Sequence, residues 1–171
     1  MSQKSKMVLS DIPTPVKRVL LGMIITLTIG VSLGLGLVFF TTSGLPGGIT
    51  SHYQGDDPAA ADLIPDKYPM PVKELLITTH NHILSFTFIF GFLAMLIQWS
   101  NRLKPNLKQL LGLEPFISII LTFGSMWGIR FISSAFVWVM LLSSVLLYST
   151  FYLMITVIIW ELVFDAEGVG A

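Results

Sequence analysis

Residues 71–99 read PVKELLITTHNHILSFTFIFGFLAMLIQW, and the reading of this stretch decides the fold. Apart from the run Thr78-Thr79-His80-Asn81-His82, everything from Ile77 to Ile97 is apolar or small. A helix over this stretch rises roughly 43 Å, more than the ~30 Å hydrocarbon core of a bilayer. Its opening turns, with Lys73 and Glu74, therefore belong in the headgroup region, and His80 and His82 at the outer edge of the core. Imidazoles are tolerated there only at the water boundary or against protein, because an unpaired polar group in hydrocarbon costs free energy.

Composition agrees with a membrane chain. Of 171 residues, 53% are hydrophobic and 12% charged, and the mean hydropathy is +0.77; soluble domains carry about twice that charge. Net charge is zero with no basic block, so nucleic acid is not an expected partner. The chain has no cysteine, which excludes disulfides, thiolate-held iron–sulfur clusters and covalent c-type haem.

Working outward, four apolar segments predict an all-α integral membrane bundle of four transmembrane helices in one domain, spanning about 19–41, 74–99, 114–131 and 135–164. Pro13 and Pro15 discourage a helix before the first span. That span has no A-x-A site after it and reads as retained rather than as a cleaved signal peptide. Its Gly22, Thr26, Gly30 and Gly34 form a small-residue stripe suited to close helix approach. Residues 43–70, rich in Gly, Pro and Asp, form a long outer loop that includes His52, Tyr53, Asp56 and Asp57. Glu114-Pro115 opens a short third span. The N-terminus and the 100–112 connection hold seven Lys/Arg (Lys4, Lys6, Lys17, Arg18, Arg102, Lys104, Lys108), against Lys67, Lys73 and Arg130 elsewhere. The positive-inside rule then places both termini in the cytoplasm of a bacterial inner membrane.

On the second helix, 100° per residue groups His80 with Lys73, Thr87, Gly91, Ala94 and Gln98, a small and polar face expected to point into the bundle. His82 is expected to look towards lipid, a partner chain or headgroups. Antiparallel threading brings Trp127 and Arg130 to the same outer level, giving a candidate site of His80, His82, Arg130 and Trp127. Three readings compete for it. His80 ligates a b-type haem with Arg130 on a propionate, the second ligand coming from Met126, Met140, His52 or a partner. Alternatively, His80 and Arg130 hold a quinone head or a lipid phosphate. In the plainest reading, the histidines bond to carbonyls and headgroups while Trp127 and Trp138 join an aromatic belt. The hydroxyl-rich fourth helix suggests a transporter or channel as an alternative. With Glu114 at a helix start and Glu161 at the inner boundary, however, no midplane carboxylate is expected. No catalytic set is evident.

Thr79-His80-Asn81-His82 resembles the T-H-x-H opening of membrane helices in bacterial electron-transfer proteins of the haem-copper oxidase and nitric oxide reductase type. The likeness spans one helix turn and lacks those families' further helix histidines. It implies a redox setting and cofactor roles for His80 and His82. Together these readings predict a non-catalytic subunit or accessory of an electron-transfer complex. Its partners are other integral membrane subunits, and it holds a haem, a quinone or bound lipid.

Overall fold

The computed structural model describes residues 8–56 and 67–164, so Lys4, Lys6, Asp57 and the tail from 165 onward lie outside the described residues. After a single 3₁₀ turn at Leu9–Asp11 come five helices: α1 (Thr14–Thr42), α2 (Pro46–Gln54), α3 (Val72–Gln98), α4 (Pro105–Phe131) and α5 (Phe136–Val163). The four long ones are each long and apolar enough to cross a membrane, and they thread up and down as a four-helix bundle.

The prolines mark where local rules decided the ends. Pro15, Pro46 and Pro105 sit in the first turns of α1, α2 and α4, where a missing N–H has no helical partner to lose. Pro15 therefore permits a helix that starts at Thr14, before the expected span. The third long helix departs further from expectation. It begins at Pro105 and runs through Pro115, which lies inside it rather than at its start. Flanking packing tolerates the interior proline, as it does in membrane helices generally. The loop at 43–70 is also more structured than its composition suggests. It contains α2, whose Ile49 and Tyr53 are buried against the bundle end formed by α4 and α5.

The core lies among α3, α4 and α5, with Phe90, Leu93, Ile119, Leu147, Phe151 and Met154 almost fully buried. Phe90 meets Phe151 edge-on at 6.0 Å. Thr122 and Ser143 share a hydrogen bond of 2.8 Å across α4 and α5. At the end carrying the N-terminal turn, Leu9 N–H donates to Trp99 O (3.1 Å), Lys108 Nζ donates to the Gln98 and Ser100 carbonyls, and the fully buried Glu161 accepts from Asn101 N–H at 2.9 Å. Arg102 lies 5.4 Å over the Trp160 ring.

Helix α1 behaves differently. It touches chiefly α5 and α2, and Ser32 and Tyr152 share a 2.8 Å hydrogen bond. A Cβ added at Gly22, Gly30 or Gly34 would meet nothing within 4 Å. The small-residue stripe is thus not pressed against another helix of this chain, contrary to expectation. It borders open space.

Candidate functional site

That open space is a cleft of about 820 Å³ between α1 and the α3–α5 core, capped by α2. One wall is the α1 stripe of Thr26, Gly30 and Gly34; the opposite wall includes His82, Ser85, Phe86 and Tyr148. Small residues on α1 leave room where larger ones would fill it. The lining is mostly aliphatic and aromatic, and among the described residues it contains no Lys, Arg, Asp or Glu. Its volume is in the range of small-molecule sites, 300 to about 1,000 Å³.

Both histidines are exposed, and it is His82 that borders the cleft. His82 lines the cleft, its ring 6.1 Å from Phe86 in near-parallel stacking and 5.2 Å from Phe123. His80 is exposed on another face of α3 and does not line the cleft. The physical reason is a stripe of bulk rather than of small residues: Leu75, Thr79, His82, Phe86, Phe90, Leu93 and Ile97 recur at helical spacing, and its large apolar members are buried. Gly91, assigned to the inward face, has open space at its Cβ.

His82 Nδ1 lies 2.8 Å from the Thr78 carbonyl. A carbonyl only accepts, so Nδ1 carries the proton and donates. In the neutral ring, Nε2 then holds the free lone pair. Thr79, the next residue, accepts from Trp127 Nε1 at 2.9 Å. Trp127 therefore braces α3 against α4 and also stacks on Phe131 at 5.8 Å. Arg130 donates from Nε to the Met70 carbonyl (3.2 Å) and lies 5.0 Å over Phe131. Neither Trp127 nor Arg130 lines the cleft, so the four residues proposed together from sequence do not converge on one cavity.

Other cleft residues were not assigned to the candidate site from sequence. Tyr148 meets Phe86 edge-on at 6.4 Å. Asn81, Ser85 and Ser144 add polar groups. The bulky stripe on α3 was the signal that would have turned Phe86 inward and set His82 at the edge of the same face.

At the α2 cap, His52 and Tyr53 also line the cleft. Burial, then the Lys67 charge, lowers the His52 pKa below its ordinary value. Burial pushes the Tyr53 hydroxyl up to about 12. Asp56 accepts from the Ser51 hydroxyl and from Lys67 N–H (2.8 Å), and these bonds hold its carboxyl below the usual range. Asp56 N–H in turn donates to Lys67 O at 3.0 Å, which pins both ends of the segment between them.

The haem reading fits these residues poorly. His52, His82, Met126 and Met140 are donors in the cleft wall, but no cationic side chain there matches propionates, and Arg130 is engaged elsewhere. An uncharged, elongated amphiphile suits the wall better.

A family model described as a transmembrane helical domain, Aq_1264_TM, matches residues 43–168. The chain belongs to that family. The match covers α2 to α5, the helices that form the core, the α2 cap and the cleft wall facing α1. It lends no support to the haem-copper likeness at Thr79–His82. No curated protein and no solved structure matches the chain.

Proposed function

We propose that this multi-pass membrane protein binds an amphiphile of the isoprenoid-quinone or lipid class in the cleft beside α1, as a small subunit or accessory of a bacterial electron-transfer complex. One observation carries the reading: an uncharged cleft of about 820 Å³ between membrane helices, apolar over most of its wall and polar around His82, Asn81, Ser85 and Tyr148. Hydroxyl and amide groups there suit the carbonyls of a quinone head, and the His82 Nε2 lone pair suits a quinol hydroxyl. The apolar wall along α1 suits a chain. The exposed apolar side chains of α1, among them Ile25, Ile29, Leu33 and Phe40, offer a surface to lipid or to partner subunits. The redox setting rests on the T-H-x-H resemblance, and the excess of Lys/Arg at the end bearing the chain termini supports a cytoplasmic side for that end.

Conduction along α5 has less support. Its Ser143 and Tyr152 hydroxyls are taken up in bonds to Thr122 and Ser32.

The test is purification from the native membrane in mild detergent, a visible spectrum, and solvent extraction with mass spectrometry of what co-purifies. A quinone or lipid retained by His80→Ala and depleted by His82→Ala supports the site, and oxidoreductase subunits in the same preparation support the complex. A reducible Soret band would replace the quinone reading with haem. A colourless, ligand-free protein that purifies alone would sink the proposal.

A further inference from the structure

Between α4 and α5, outside the lining of this cleft, lies a carboxylate at an unexpected depth. Glu114 accepts from the Ser118 hydroxyl one turn along α4, and its Oε2 accepts from Thr150 Oγ1 of α5 at 2.7 Å. Thr150 falls at the middle of α5, roughly 20 Å from either helix end at 1.5 Å per residue. A ~30 Å hydrocarbon layer centred on the bundle therefore contains the Glu114 carboxylate. Among the described residues it is held by those two hydroxyls and by no cationic side chain.

Two further features bear on what this carboxylate does. Pro115 lies inside α4 and has no N–H, so the buried Leu111 carbonyl lacks its i+4 donor next to Glu114. A second cleft, of about 430 Å³, is bordered by Asn106 and Gln109 near the start of α4 and by Glu114 and Ser118 deeper in. From Asn106 to Glu114 the helix rises about 12 Å. Leu110, Leu113 and Ile117 also border this groove, so Glu114 and Ser118 are polar groups in an otherwise largely apolar surface.

We propose that Glu114, Ser118 and Thr150 form a site for a small monovalent cation, a proton or Na⁺, inside the membrane. An unpaired carboxylate at this depth carries a desolvation cost that a bound cation removes. The two hydroxyl oxygens supply neutral oxygen ligands for Na⁺, and the carboxylate alone suffices for a proton. Such ionisable groups within spans are the usual mark of an ion or proton path. The site shares no residue with the α1 cleft, so its test is independent of the amphiphile reading.

The test is labelling of the full chain in detergent with dicyclohexylcarbodiimide, an apolar reagent that attacks a carboxyl group carrying a proton, followed by peptide mass spectrometry. The expected result is an adduct on Glu114, absent in Glu114→Gln, with the exposed Glu74 left unlabelled as internal reference. Slowing of the reaction by NaCl, but not by choline chloride, at one fixed pH identifies Na⁺ as the ligand. Labelling that is indifferent to Na⁺ identifies the proton. Thr150→Val with Ser118→Ala then abolishes the Na⁺ protection in the first case. No adduct on Glu114, or equal labelling of Glu74 and Glu114, overturns the proposal.

Discussion

Trp127 Nε1 donates to Thr79 Oγ1 across 2.9 Å, tying α4 to α3 at the residue before His80. An indole assigned from sequence to an interfacial belt is thereby a brace for the polar run of α3. Trp127→Phe keeps most of the ring and removes the donor. It should lower stability by about 0.5–1.5 kcal/mol, the usual net value of such a bond. Thermal unfolding in detergent measures this. In a double-mutant cycle with Thr79→Val, the loss should be less than the sum of the two singles; strict additivity would mean that the bond contributes nothing.

Gly128 is packed under Phe136, where an added Cβ would lie 2.4 Å from the ring. The turn between α4 and α5 also starts there, since the Gly128 carbonyl accepts from both Ile132 and Ser133. Gly128→Ala forces the ring or the turn to move, which costs roughly 1–3 kcal/mol for overpacking. Gly48→Ala should be worse, because its Cβ would fall 2.0 Å from the Thr42 carbonyl oxygen, and backbone yields less than a ring. Gly91→Ala, with nothing within 4 Å, is the control and should be neutral or slightly stabilising in the same melts.

Gly34 borders the cleft with open space at its Cβ. Gly34→Leu should place a side chain where the amphiphile lies, while gaining up to about 1 kcal/mol of helix propensity. The expected outcome is a protein that melts no lower than wild type yet carries less co-purifying quinone or lipid. Unchanged ligand content in a correctly folded variant would count against the cleft as the binding site.

The α2 cap should respond to pH at both extremes. Tyr53 ionises near 10 in the unfolded chain and is pushed up to about 12 in the fold. The folded state therefore keeps a proton that the unfolded state has lost. Stability is full below pH 10 and falls as pH rises towards 12, by about 3 kcal/mol at completion. Tyr53→Phe should flatten this alkaline limb. His52 has the opposite sense: its pKa is lowered in the fold, so below about pH 6.5 the unfolded chain binds the proton more readily and stability falls with acidification. Hydrogen exchange of the α2 amides across the pH range reads both effects.

Much of the architecture was legible in the chain. Apolar runs at bilayer length identify a membrane span whatever they pack against, so four helices and their antiparallel order followed from hydropathy and the turn residues at 132–135. The ends were less legible where proline was involved. Pro115 disfavours a helix locally, yet packing of α4 between α3 and α5 carries the helix through it. Reading Pro115 as a start placed Glu114 at the surface and hid the mid-bundle carboxylate.

The candidate site was legible only in part. The run at 78–82 announced polar groups at the edge of an apolar span, and His82 does line a cavity. Which histidine borders the cleft depended on whether small or bulky residues fill the α3 interface, and both patterns run along the helix with nearly the same period. Sequence alone determined that this chain carries four helices long and apolar enough to cross a membrane, because transfer free energy sums along each helix independently of its neighbours. Only the tertiary structure decided that α1 stands off to leave a cleft, that His82 rather than His80 borders it, and that Glu114 reaches Thr150. Each of these depends on how side chains from different helices fill a shared volume, and no single helix carries that information.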